Sequence, residues 1–119
     1  MEKAIVLNPG FSVADAEYPD FTLKHDTLVV EFVDAREIPV RVSFINAAGV
    51  KWQEITTNDG PEKRDDCVYE IQHSKWHAAY LEQGARSVQD NLHHYKLCFN
   101  AYGPLEVLAS SFTVTHITS

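Results

Sequence analysis

Two neighbouring stretches with apolar residues at a period of two constrain this chain more than any other feature. Leu28, Val30 and Phe32 share one face of an extended backbone, and Val40, Val42 and Phe44 repeat the pattern beyond the polar connection Asp34 to Pro39. A helix buries a stripe that recurs about every three to four residues, so a period of two marks both stretches as strands with one buried face. An antiparallel sheet is the economical way to cover them.

Turn chemistry extends that sheet. Asn46, Ala47, Ala48 and Gly49 place Asn first and Gly fourth, the pattern of a type I turn closed by a left-handed residue. This predicts a hairpin onto Val50–Ile55. The same order recurs at Asn100, Ala101, Tyr102 and Gly103, which predicts a second hairpin joining Tyr95–Phe99 to Leu105–Ala109. Cys67, Tyr69 and Ile71 alternate with Val68 and Glu70 and read as a further strand, while Phe21 to Leu23 adds an edge strand. Phe112 and Val114 continue the carboxyl-terminal meander past Ser110 and Ser111.

One helix is expected. Ser74 is an N-cap and Gly84 a C′ residue, bracketing Lys75 to Gln83 with Trp76, Ala79 and Tyr80 on the sheet-facing side and His77 and Leu81 along its flank. The connection from that helix to His93 is long enough for a crossover, so the strands on either side of it are either parallel neighbours or an antiparallel return. The expected fold is therefore α+β: a largely antiparallel, alternatively mixed, sheet of about six strands with the helix over 74–84 packed on one face.

The chain has 119 residues, which leaves room for a single domain, 1–119. Its 17 acidic against 10 basic residues give a net charge of −7, which repels phosphate backbones and anionic lipid and attracts basic proteins. Nucleic acid and membrane are thus not expected as partners. The apolar run Ala4–Leu7 is too short for a secretory or spanning segment, and the two cysteines, Cys67 and Cys98, make no disulfide framework. Reduced thiols and a cytoplasmic location follow as expectations, with the oligomeric state left open.

Six histidines raise the question of a metal. Cys67, His73, His77 and His94 are the candidate ligands, His73 and His77 standing one helical turn apart if the helix starts early. No close cysteine pair accompanies them, so buried or packed histidines are the simpler reading. His94 and Cys98 share a strand face but sit roughly 13 Å apart at strand rise, too far for a nucleophile and base. The scattered carboxylates form no pair in an apolar setting, and neither a glycine-rich phosphate loop nor a GxSxG elbow occurs. No enzyme activity and no cofactor are expected.

The functional expectation is a non-enzymatic protein–protein interaction module, of the kind in which a small acidic immunity-type inhibitor neutralises a basic partner. Its contact residues are Asp59, Glu62, Asp65 and Asp66 of the acidic loop and Tyr102 at the second turn. The alternative is a metal- or small-ligand-binding domain whose site lies between helix and sheet.

Overall fold

A computed structural model describes residues 2–7, 13, 19–34, 36–52, 68–82, 91–99 and 103–116. In chain order its elements are β1 (Lys3–Val6), β2 (Asp20–Lys24), β3 (Thr27–Val33), β4 (Pro39–Ile45), β5 (Gly49–Trp52), β6 (Val68–Gln72), α1 (Lys75–Glu82), β7 (His93–Phe99), β8 (Gly103–Ala109) and β9 (Ser111–His116).

The two alternating stretches pair with each other as their pattern requires, Leu28 opposite Phe44, Val30 opposite Val42 and Phe32 opposite Val40. All six of these side chains are buried. With β2 on one side and β9 on the other they make a four-stranded sheet, β2-β3-β4-β9. A second sheet, β1-β6-β7-β8-β5, faces it, and every pairing in both sheets is antiparallel.

The core lies between the sheets. Val68, Tyr95, Leu97, Phe99, Leu105, Val107 and Ala109 meet the inward row of β3 and β4. Aromatic rings bridge the layers, Phe32 with Phe99 at 5.2 Å and Phe44 with Tyr95 at 5.8 Å between centroids. Each valine or phenylalanine buried here contributes roughly 1.5–3 kcal/mol of transfer free energy. The five-stranded sheet is covered on its other face as well, where Tyr69, Ile71 and Cys98 cluster with Ala4. Both faces of β7 are buried for this reason, apart from its first residue.

Several expectations need correcting. The strands number nine among the described residues and divide into two sheets rather than forming one of about six. The Asn46–Gly49 segment closes no hairpin: β4 and β5 lie in different sheets, and β5 pairs with β8. Asn46 does take the left-handed conformation, at φ 55°, but its neighbours bond elsewhere, Ala47 N–H to the Asp26 carbonyl and Ala48 N–H to the Leu108 carbonyl. The turn therefore carries the chain from one sheet to the other. Ser110 does the same in reverse, since β9 pairs with β4 and does not extend the meander of β7 and β8. The two crossings are tied together, with Asn46 Nδ2 donating to Ser110 Oγ at 3.1 Å and Ser110 N–H donating to the Ile45 carbonyl at 2.9 Å.

Around the helix, β6 and β7 are antiparallel neighbours, so the return is not a parallel crossover. Trp76, His77 and Tyr80 are half-buried while Ala79 is exposed, which removes Ala79 from the sheet-facing side. The β7–β8 hairpin, the β2 edge strand and the β6 strand stand where the alternation puts them. Among the described residues no helix is long and apolar enough to cross a membrane.

Candidate functional site

The connection from β6 to α1 is short and strained in one place. His73 adopts φ 57°, a conformation in which His is enriched several-fold among non-glycine residues, and this turns the chain from strand into helix. Ser74 then caps α1: its Oγ accepts from the His77 N–H at 3.1 Å, and its carbonyl accepts the first helical bond from Ala78 N–H at 3.0 Å. The next N–H, of Lys75, donates to a Glu2 carboxylate oxygen at 2.8 Å, so an acidic side chain from the amino terminus sits at the positive end of the helix.

Ser74 also reaches the sheet. Its Oγ lies 2.6 Å from His94 Nδ1, and His94 Nε2 lies 2.8 Å from Glu106 Oε1. This chain of contacts joins α1, β7 and β8, with Ser74 and His94 both buried. The Trp76 ring packs edge-on to the His94 ring at 5.1 Å, and Lys51 Nζ lies 4.2 Å from the centre of Trp76.

Charge fixes the direction of the protons. Burial on its own raises the Glu106 carboxyl, but the His94 hydrogen bond and the positive charges of His94, Lys96 and Lys51 outweigh it and hold the group below its ordinary value. Lys96 and Lys51 flank Glu106 in register on the neighbouring strands. An ionised carboxylate only accepts, so His94 Nε2 carries a hydrogen toward it. In the tautomer that carries its hydrogen on Nε2, His94 presents a lone pair at Nδ1, and Ser74 Oγ–H is the group that donates into it.

A surface cavity of about 420 Å³ opens beside this chain, bounded by β6, the head of α1 and the start of β7. Four histidines line it, His73, His77, His93 and His94, together with Ser74 and Glu70. His93 Nδ1 is 3.0 Å from Glu70 Oε2, and its ring tilts over Tyr95. Desolvation first, then the neighbouring His93 and His94, hold the His77 pKa below its ordinary value.

The structure thus brings three of the expected ligands, His73, His77 and His94, to one cavity. Both ring nitrogens of His94 are already engaged, and among the described residues no group of three or more His, Cys, Asp or Glu is placed to hold a metal ion. Cys67, Asp59, Glu62, Asp65, Asp66 and Tyr102 lie outside the described residues, as does Gly84. Glu106 and the second bond of Ser74 escape sequence reasoning, because the three residues are far apart along the chain. A partial signal exists: the β7–β8 hairpin sets Lys96 opposite Glu106, which puts His94 diagonal to Glu106 on the same face.

Compared with known proteins, the chain matches no family model, no curated protein and no solved structure.

Proposed function

We propose that the chain is a small protein-interaction module that binds a basic partner by charge, in the manner of an immunity-type inhibitor. The observation that supports this reading is where the charge sits. The described residues carry nine acidic and seven basic side chains, a net of −2, whereas the remaining segments carry eight and three, a net of −5. Two framework carboxylates are already matched, Glu31 with Arg41 and Asp34 with Arg36. The greater part of the net charge thus falls on the remaining segments, above all 53–67 with Glu62, Asp65 and Asp66.

The test begins with capture of basic proteins at low salt and release at high salt. With the partner identified, Glu62→Lys, Asp65→Lys and Asp66→Lys together slow association about tenfold or more at low salt and leave it little changed at high salt. An unaltered low-salt association rate rejects the electrostatic reading.

The four-histidine cavity favours a second reading, a small-ligand or metal site between helix and sheet. A ligand that binds only the folded state raises the melting temperature as it is added. A melting temperature indifferent to zinc, cobalt and chelator removes the metal branch.

A further inference from the structure

Ser74, His94 and Glu106 form a hydroxyl–imidazole–carboxylate chain that ends at a cavity, and neither reading above uses it. We propose that Ser74 is an acyl-accepting nucleophile, with His94 as its general base and Glu106 as the carboxylate that positions the ring, acting on small uncharged acyl esters that enter the cavity.

Geometry supplies the first argument. The spacings of 2.6 Å at Nδ1 and 2.8 Å at Nε2 are hydrogen bonds, and in the tautomer with its hydrogen on Nε2 the polarity runs from hydroxyl to imidazole and from imidazole to carboxylate. This is the order in which a serine is activated, with the imidazole presented by Nδ1 where many hydrolases present Nε2. The arrangement depends on roles and distances, not on which ring nitrogen faces the serine.

Placement supplies the second. Ser74 stands between a strand and a helix, one residue after the left-handed His73, so its oxygen lies at the positive end of α1 where developing negative charge is favoured. The His77 N–H already directs a hydrogen at that oxygen at 3.1 Å. Ser74 and His94 both line the cavity, whose volume of about 420 Å³ accommodates a short acyl group. Its apolar wall is Ile71, Ala78 and Leu92, and its carboxylate Glu70 is held by a hydrogen bond to His93, which suits an uncharged ester better than an anionic one.

The step balances without any co-reactant beyond water. Ser74 Oγ bonds to the acyl carbon, and its proton passes to His94 Nδ1. The bond to the leaving alcohol or phenol breaks, and that oxygen takes the proton from His94. Water, deprotonated by His94, then releases the acyl group as a carboxylic acid and restores Ser74. This inference goes beyond the interaction reading, and neither depends on the other.

The experiment uses the full chain with p-nitrophenyl acetate and, separately, a fluorophosphonate probe, the modified residue being located by peptide mass spectrometry. One acyl or phosphonyl group on Ser74 is expected. Ser74→Asp keeps an N-cap side chain while removing the hydroxyl, and it abolishes the label without loss of the cooperative thermal transition. Glu106→Gln still accepts from Nε2 but lacks the charge; it slows labelling by about tenfold or more and changes the pH profile, which a merely structural contact would not do. Folded protein that takes no label at Ser74, or a labelling rate equal in wild type and Ser74→Asp, overturns the proposal.

Discussion

Ser74 Oγ stands 2.6 Å from His94 Nδ1 while accepting the His77 N–H, so one hydroxyl both starts helix α1 and fastens it to strand β7. Among the described residues α1 packs on β7, where the Trp76 ring also meets His94. Removing the hydroxyl loses a cap and leaves a buried ring nitrogen unsatisfied. Ser74→Ala is expected to destabilise the protein by about 2–4 kcal/mol, combining the usual cost of a lost cap with that of an orphaned buried acceptor. Urea unfolding measures it as a lower midpoint at unchanged slope.

Gly49 makes room for the other half of that attachment. A Cβ at position 49 would stand 2.8 Å from Trp76 Cζ2, closer than carbon atoms approach, so the indole or the β5 backbone must shift. Gly49→Ala is expected to cost about 1–3 kcal/mol, the range for overpacking. The shift of Trp76 emission reports the displacement directly. Adding Trp76→Leu removes the clash, so the double variant is more stable than the sum of the single changes predicts.

Local pattern made most of the strands, their faces and the helix start legible, because alternation and capping are written in adjacent residues, whereas β1 over Lys3–Val6 was read only as a short apolar run. The division into two sheets was not. Asn46 and Gly49 announce a turn, and a turn there is, but whether it closes a hairpin or crosses between sheets depends on the partners of Ala47 and Ala48, Asp26 and Leu108, which no local pattern names. The same holds for the site. Ser74 was readable as a cap and His94 as a strand histidine, while their contact depends on how α1 folds back onto β7. The acidic loop from Asp59 to Asp66 and Tyr102 were legible only as composition and turn chemistry, and they fall outside the described residues.

Asp34 gives the fold a dependence on acid. Its side chain has no exposed surface, and it accepts from Arg36 N–H at 2.9 Å and Ile38 N–H at 3.1 Å, with the Arg36 guanidinium at 3.0 Å. Burial raises its pKa, but the Ile38 and Arg36 hydrogen bonds and the Arg36 charge prevail and hold it below the ordinary value. A carboxyl with a depressed folded pKa stabilises fully above its unfolded value and loses that contribution as pH falls through the folded one. Stability is therefore expected to decline below about pH 4, and Asp34→Asn to flatten that part of the profile while costing about 1–3 kcal/mol at neutral pH. Chemical denaturation at a series of acidic pH values measures both effects.

Tyr95 sets the opposite limit. Burial between the sheets, with a smaller contribution from the Glu70 carboxylate, pushes its phenol up to about 12 from an ordinary 10.0. The neutral phenol is the form that packs against Phe44 and Phe112, so the folded state keeps its proton in a range where the unfolded chain has released it. The linkage then runs downward with pH: the contribution is complete below about pH 10 and fades between about pH 10 and 12, by up to roughly 2–3 kcal/mol. Tyr95→Phe has no proton to lose and is expected to show a shallower alkaline decline than the wild type. Denaturant midpoints at pH 9, 10 and 11 for the two proteins decide it, and parallel curves would mean that Tyr95 ionises in the folded state as easily as in the unfolded one.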